Sequence, residues 1–212
     1  MGPSPIGWRR LRYGGLVNDW SLKTSLDGLY AAGQQLYDGC GCSQALTSGR
    51  WAGSMAGEHA KTAEFEEPCR AQIDADKERV YAPLSRRGDG INWKELETGI
   101  AKVLQDYCGD TKCEELMNIG LLALDEIRPG EARTLFARNP HELMRAVEAE
   151  SVLTCAEMVI HACAARKASS ESLSFDRLDY PDNDPEEWRK WVVIKQEDGQ
   201  VRVSDLPLGY HG

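Results

Sequence analysis

A mostly helical α+β fold is predicted for this chain of 212 residues, of which 42% are hydrophobic and can bury a sizeable core. Three observations support the prediction. Three segments after residue 90 carry apolar residues at helical spacing and begin with helix-capping residues. Two runs rich in β-branched residues follow near the C-terminus and surround a turn signal. Ahead of all these elements, a short apolar run and a segment of small residues predict a strand, a loop and a helix.

The first strand is predicted at Gly28–Gly33, where four apolar or aromatic residues stand between two glycines. This pattern is typical of a buried parallel strand whose end lets another group come close. Another strand is expected at Gly14–Val17. Ser43 is the candidate N-cap of a helix that extends to Ala60. Because this helix is rich in alanine and glycine, it can lie close to a sheet or a flat ligand, with its first amides free to bind an electron-rich carbonyl.

Residues 64–90 are rich in charged residues, proline and glycine, and they are the best candidate for a domain boundary. A short helix is predicted within this stretch at Cys69–Tyr81. The predicted organisation is therefore a first domain at 1–66, a linker at 67–90 and a second domain at 91–212.

Three helices are predicted in the second domain, over 92–109, 111–129 and 139–166. The first begins with the capping-box pair Asn92 and Glu95, and the second begins at Thr111. The third has Asn139 as its cap and Pro140 at its first position, which is the preferred order. An antiparallel three-helix unit is the simplest arrangement that buries the apolar face of each helix.

A β-hairpin is predicted after the helices, because the apolar period changes from that of a helix to that of a strand. Trp191–Gln196 and Gln200–Val203 are the two strands, and Glu197, Asp198 and Gly199 lie between them. An Asp-Gly pair between β-forming runs is a strong hairpin signal.

The charge balance excludes one class of partner. The chain has 25 Lys and Arg residues against 34 Asp and Glu residues, for a formal net charge of −9. Such a surface repels phosphate backbones, so no nucleic-acid binding is expected. No apolar run approaches the roughly 20 residues of a membrane span, and the N-terminus lacks the apolar core of a secretory signal. We therefore expect a cytoplasmic protein.

The seven cysteines are an odd number without an extracellular spacing, which predicts reduced thiols. Cys40 and Cys42 have C-x-C spacing, whereas redox dithiols use C-x-x-C, so small packing residues are favoured over a redox pair. Cys108 and Cys113 have no second clustered pair to complete a zinc site. No metal site is predicted.

Three short stretches resemble a known family: GGLV at 14–17, TSLDGLYAAGQ at 24–34 and ALTSGRWAG at 45–53. They resemble the last FAD-domain segment of the fumarate reductase and succinate dehydrogenase flavoprotein superfamily, which includes the adenylylsulfate reductase alpha subunits. The resemblance implies an FAD cofactor and a helix N-terminus that faces the flavin pyrimidine ring. The cofactor-binding residues that it implies are Gly33, Gln34, Ser43, Gln44, Ala45 and Leu46.

The second half resembles the helical C-terminal domain of the same family, most clearly in NWKELETGIAKVLQDYCG at 92–109 and FDRLDYPDNDPEEWRKWVVIK at 175–195. By this resemblance, 1–66 is the C-terminal remnant of an FAD-binding domain and 91–212 is the helical flavoprotein C-terminal domain. Gln34 stands where the family has a glutamate. Its amide oxygen can still accept a hydrogen bond from a ribityl hydroxyl.

Two parts of the resembled enzymes have no counterpart in the sequence. The G-x-G-x-x-G motif that opens such FAD domains is absent, as is the capping domain that supplies most of the substrate site. The family's loop before the flavin-facing helix carries a histidine and an arginine, but 38–44 contains neither, so no catalytic residue is assigned and a dicarboxylate site is not supported.

The functional hypothesis is therefore the C-terminal portion of an FAD-dependent oxidoreductase, inactive without the missing N-terminal FAD-domain portion or a separate chain that supplies it. The resemblance further implies an iron-sulfur electron-transfer subunit as a partner. The alternative hypothesis is a non-catalytic helical module that binds a partner subunit and holds no flavin.

Overall fold

The structure is a computed structural model that describes residues 14–36, 41–65, 67–86 and 90–210. The chain divides into two compact units, one formed by Met1–Glu67 with Pro207–Gly212 and the other by Pro68–Leu206. Within the described residues there are five α-helices and a terminal antiparallel strand pair, which confirms the mostly helical α+β class. None of the helices in these residues combines the length and hydrophobicity that a membrane-spanning helix needs.

The first unit contains helix α1 (Cys42–Ala60) and a 3₁₀ turn at Gly33–Gln35. In place of the predicted parallel strand at 28–33, Tyr30 makes a single antiparallel bridge with Lys23. The backbone does not stay extended there, because Gly28 and Gly33 at its two ends have φ of +74° and +65°. The predicted strand at 14–17 is likewise not formed.

The N-cap of helix α1 lies two residues before the predicted cap, Ser43. Gly41 occupies the N-cap position with extended backbone and no side-chain hydrogen bond, and Ser43 lies in the first helical turn. Glycine is tolerated at this position because it adopts the extended conformation at no steric cost. The predicted end at Ala60 is confirmed.

The second unit contains helices α2 (Arg70–Ser85), α3 (Trp93–Tyr107), α4 (Glu114–Ile127) and α5 (Pro140–Ala165). Helices α3, α4 and α5 pack against one another in pairs. They enclose a core of twelve buried residues: Leu96, Ile100, Val103, Met117, Leu124, Ala132, Leu135, Ala146, Ala149, Leu153, Ala156 and Ile160. This arrangement confirms the predicted three-helix unit.

Two of the predicted helix starts are confirmed in detail. Asn92 and Glu95 form the reciprocal capping box of α3. At the start of α5, the Asn139 side chain accepts a hydrogen bond from the Glu142 amide at 3.0 Å. Both signals lie within three residues of the amide they satisfy, which is why the sequence reveals them.

The predicted start of the second helix is wrong. Thr111–Lys112 is strand β1, which pairs in parallel with Asp176–Arg177 (β2), and α4 begins only at Glu114. The cap comes from the distant segment, because the Asp179 carboxylate accepts the Glu114 amide hydrogen bond at 2.8 Å.

Helix α2 is longer than the predicted Cys69–Tyr81 and contains Pro83 in its last turn. It lies in the stretch predicted as a linker, and the predicted domain limits at 66 and 91 stay predictions. At the other end of the unit, β3 (Lys190–Glu197) and β4 (Gln200–Pro207) form the predicted hairpin. Asp198 and Gly199 link them with φ of +52° and +76°, the sign pattern of a type I′ turn.

Candidate functional site

Gly33 lies directly against the first turn of α1. A Cβ atom at this glycine would stand 3.6 Å from the Ala45 Cβ, so the two backbones approach closely. The Gly33 amide donates to the Ser48 hydroxyl at 2.9 Å, and that hydroxyl donates to the Gln44 carbonyl at 2.7 Å. Three predicted site residues, Gly33, Gln44 and Ala45, are thus brought together by one short hydrogen-bonded chain.

Ser48 is the residue of this site that sequence reasoning missed. It and Ala52 are the only α1 residues that are buried in the described part of the chain. Ala45, Ser48 and Ala52 are spaced by three and four residues, which places them on one face of the helix. That spacing of small residues was the available signal, although it does not reveal that Ser48 accepts the Gly33 amide.

The start of α1 presents backbone donors without an acceptor in the described residues. The Ala45 amide makes the first intrahelical bond, to the Gly41 carbonyl at 3.1 Å. Among the described residues, the three preceding amides, of Cys42, Ser43 and Gln44, have no backbone or side-chain acceptor. These residues are exposed, and the first turn has no acidic side chain. The positive end of the helix dipole lies at this turn, where it favours an electron-rich oxygen.

Gln34 and Leu46 stand apart from this hydrogen-bonded chain. Both side chains are exposed, and the Leu46 side chain is among the least covered apolar groups, at 70% exposure. The structure therefore places the six predicted residues around one helix start, but only Gly33 is buried.

The second glycine of the pair at 14–15 has a packing reason, whereas a Cβ at Gly14 would meet no atom within 4 Å. A Cβ at Gly15 would overlap the Leu36 carbonyl oxygen. The next amide, of Leu16, donates to the Gln35 carbonyl at 2.7 Å. The close approach holds this segment against the 3₁₀ turn that carries Gly33.

Two side chains of α1 attach the loop before Gly33 to the helix. The Trp51 indole donates to the Trp20 carbonyl at 3.0 Å. Near the other end of the helix, His59 Nε2 lies 3.7 Å from the carboxylate of Asp27. That carboxylate also accepts from Lys23, and this hydrogen bond lowers the pKa of Asp27.

In the second unit, Arg177 belongs to the family-like segment and is fully buried. It donates to both Asp179 carboxylate oxygens at 2.7 Å, and its Nη1 donates to the carbonyls of Cys163 and Arg166 at 2.8 and 2.7 Å. The hydrogen bond from Arg177 lowers the pKa of Asp179 to about 2. This arginine joins the end of α5 to the segment after β2, so its role here is structural.

The cysteines form no binding cluster in the described residues. Cys42 is exposed at the start of α1, and the other member of its predicted pair, Cys40, lies outside the described residues. A hydrogen bond with Cys108, together with burial, raises the pKa of the Cys163 thiol. No three His, Cys, Asp or Glu side chains in the described ranges are grouped closely enough to hold a metal ion.

Comparison with known protein sequences finds fumarate reductase flavoproteins, both as a family and as individual relatives. The family of the fumarate reductase flavoprotein C-terminal region matches residues 97–211. A fumarate reductase flavoprotein subunit of Haemophilus influenzae is 23% identical over 210 residues, covering 92% of this chain and 35% of that protein. The corresponding Escherichia coli subunit is 27% identical over 171 residues, covering 74% of this chain and 28% of that protein.

Solved structures share the fold. Adenylylsulfate reductase of Archaeoglobus fulgidus superimposes with a TM-score of 0.80 at 23% identity, covering 88% of this chain and 32% of that chain. Escherichia coli quinol fumarate reductase gives 0.74 at 23% identity, covering 91% and 36%. The chain thus spans about a third of the length of these relatives. Since the family match covers more than half of the residues, the chain belongs to the fumarate reductase flavoprotein C-terminal family.

Proposed function

We propose that this chain is the C-terminal portion of an FAD-dependent oxidoreductase that resembles fumarate reductase and succinate dehydrogenase flavoproteins. It contacts the flavin through the start of α1. The observation that carries the proposal is the set of exposed amides at Cys42, Ser43 and Gln44, beside a glycine that approaches the helix backbone closely. The family match, over residues 97–211, supports the flavoprotein assignment of the chain.

The donor set suits an electron-rich heterocycle. The backbone amides of the first turn donate to a ring carbonyl oxygen and stabilise negative charge that develops there. Gly33 lets its backbone approach the first turn closely because it has no side chain. The exposed Gln34 amide offers a hydrogen bond to a hydroxyl. FAD, when bound, supplies the hydride-transfer chemistry, while the chain contributes positioning and charge stabilisation.

We further propose that the flavin site is completed by an N-terminal FAD-domain portion or by a separate chain that supplies it. The apolar side chains of the first unit support this proposal. Trp20, Leu26, Leu46 and Phe65 are each more than 60% exposed, and such surfaces are favoured at interfaces. Without the completing portion we expect no turnover, and an iron-sulfur subunit is the proposed electron-transfer partner. A cytoplasmic location stays a prediction.

The alternative is a non-catalytic helical module that binds a partner subunit. Its supporting observation is the set of exposed apolar residues on helices of the second unit, which already has a complete core. On α4 and α5 these residues are Leu116, Ile119, Leu122, Met144, Val152 and Met158. In this alternative, the small-residue face of α1 serves packing alone.

Flavin retention tests the proposal. The purified chain, alone and combined with a polypeptide that carries the FAD-domain front of a relative, is mixed with excess FAD and freed of unbound cofactor. We expect flavin absorbance to be retained in the combination. No retention in either sample would contradict the flavin contact and favour the helical module.

A matched pair of variants locates the contact. Cys42→Pro removes one free amide without disturbing the helix, because Gly41 is extended and proline is favoured at the first helical position. Cys42→Ala keeps the amide and is the control. We expect Cys42→Pro to weaken FAD binding about tenfold relative to Cys42→Ala, as for one hydrogen bond to a charged or strongly polarised group. Equal affinities would place the flavin elsewhere.

A further inference from the structure

The second unit contains a cavity of about 330 Å³ that the flavin proposal does not use. Four arginines line it: Arg79 and Arg86 from α2 and its end, Arg128 from the end of α4, and Arg133 from the 3₁₀ turn at Glu131–Thr134. These positions are far apart in the sequence, so the cluster exists only in the folded unit.

Two of these arginines already have carboxylate partners. Arg79 Nη1 lies 3.0 Å from Glu150, which also lines the cavity. Arg128 makes a bidentate salt bridge with Glu157, in which Nε donates to Oε1 at 3.1 Å and Nη2 donates to Oε2 at 2.6 Å. Their charges are largely balanced within the protein.

The other two arginines carry the surplus charge. Arg86 Nη1 donates to the Leu135 carbonyl at 2.8 Å, which fixes the side chain but does not neutralise it. In the described part of the chain, neither Arg86 nor Arg133 has a carboxylate within ion-pair distance. An acidic protein, with a formal charge of −9, thus concentrates positive charge in one concave place.

The lining also has an apolar part. Leu153 and Ala132, both buried, lie beside the guanidinium groups. Low-dielectric walls strengthen the interaction between a bound anion and the arginines. A volume of about 330 Å³ lies at the lower end of the 300 to 1,000 Å³ that is usual for small-molecule sites, enough for a phosphate group with a small attached body.

We propose that this cavity binds a small phosphate-bearing anion. Guanidinium groups recognise phosphate through paired hydrogen bonds. The two carboxylates at the site, Glu150 and Glu157, each engage one arginine. A tetrahedral phosphate has more terminal oxygens than a planar carboxylate, so it matches arginines that come from four separate backbone positions. The free phosphate ion and the phosphate of a nucleotide share this chemistry.

Calorimetric titration of the full chain tests the proposal, with inorganic phosphate, pyrophosphate, AMP and succinate as probes at matched ionic strength. We expect one equivalent of pyrophosphate to bind more tightly than succinate. AMP that binds more tightly than phosphate would identify a nucleotide phosphate as the source, and the reverse order would identify the free ion. Equal binding of succinate and pyrophosphate, or no binding of any phosphate compound, would overturn the proposal.

Variants separate the site from general charge effects. Arg86→Gln and Arg133→Gln should each weaken pyrophosphate binding about tenfold. Arg70→Gln, at an exposed position on α2 outside the cavity, is the control and should leave binding unchanged. An equal loss in the control would overturn the proposal.

Glu150→Gln provides a test that misfolding cannot imitate. The substitution removes a negative charge, which releases Arg79 from one of its two carboxylate partners and reduces repulsion. Pyrophosphate binding should therefore strengthen severalfold. An unchanged or weaker affinity in a folded Glu150→Gln protein would contradict the proposed location. The flavin experiment measures cofactor absorbance and tests the first unit, whereas the titrations measure anion binding to the second unit. Failure of one proposal therefore does not affect the other.

Discussion

The two units of the chain are stabilised in different ways. In the second unit, helices from 93 to 165 enclose twelve buried residues. In the described part of the first unit, the buried residues are only Ala31, Gly33, Ser48 and Ala52. Most of its large apolar side chains are exposed: Leu16, Val17, Trp20, Leu26, Leu29, Leu46, Trp51 and Phe65.

This difference shows that the two units depend on different interactions for their stability. The second unit buries enough apolar surface to be stabilised by its own core. The first relies on close backbone packing and single hydrogen bonds, such as those from Gly33 to Ser48 and from Trp51 to Trp20. We therefore expect substitutions in the second unit to change global stability, and those in the first to change local opening and binding.

The largest effect is expected for Arg177→Met in the second unit. It leaves Asp179 and the carbonyls at the end of α5 without their donor, and breaking a buried charge pair in this way costs about 3 to 5 kcal/mol. Urea unfolding measures the loss. Arg202→Met, at an exposed strand position, is the control and should change stability by less than about 0.5 kcal/mol. Similar losses in both variants would contradict the role of Arg177.

Leucine truncation compares the two units directly. Leu124 is completely buried and Leu46 is 70% exposed. Leu124→Ala should lower the free energy of unfolding by about 3 kcal/mol, because it removes buried methyl groups and leaves a cavity. Leu46→Ala should cost less than about 0.5 kcal/mol in the chain alone. A large cost at Leu46 would break the comparison, since it would mean that this side chain is buried in the chain alone.

A smaller and local effect is expected for Ser48→Ala. The variant leaves the buried Gly33 amide without its acceptor, which costs about 1 to 2 kcal/mol. Hydrogen exchange at Gly33 should accelerate by about tenfold, while exchange in α5 stays unchanged. Ser43→Ala, in the same helix but exposed, is the matched control and should not alter exchange at Gly33.

The last effect appears only at acid pH and concerns Asp179, whose folded-state pKa is about 2 and lies below its ordinary value of 3.8. A carboxyl with a lowered pKa stabilises the folded state above its unfolded pKa. Its contribution is therefore complete above about pH 5 and is lost as the pH falls through 4 towards 2. In unfolding measured from pH 5 to 2, Asp179→Asn should lose less stability than the unmodified chain. Identical pH dependence would contradict the assignment.

The predictable parts of the fold are those with local signals. Asn92 with Glu95, Asn139 with Glu142, and Asp198 with Gly199 each lie within three residues of the structure they determine. The start of α4 could not be predicted, because its capping carboxylate is 65 residues away. The expected strand at 28–33 failed for a related reason, since strands are defined by partners and only Tyr30 has one there.

The candidate sites show the same limit. The family resemblance predicted Gly33, Gln44 and Ala45 as residues of one site, and they lie in one short chain of contacts. Ser48 was missed because a serine within a helix carries no sign of which amide it will accept. The arginine cavity could not be predicted from the sequence, because the four arginines that line it are spread over residues 79–133 and come together only in the folded unit.

The parallel pairing of β1 with β2 has a consequence for the order of folding. It joins Thr111 to Asp176 and so closes a long loop that contains α4 and α5. Closing a long loop costs chain entropy, and the short β1–β2 pairing makes few contacts to offset that cost. Helices that are neighbours in the sequence close shorter loops and can therefore pack early in folding. We therefore expect the helices to assemble in the transition state and this pairing to form last. In stopped-flow kinetics, Asp179→Asn should accelerate unfolding while leaving the refolding rate nearly unchanged.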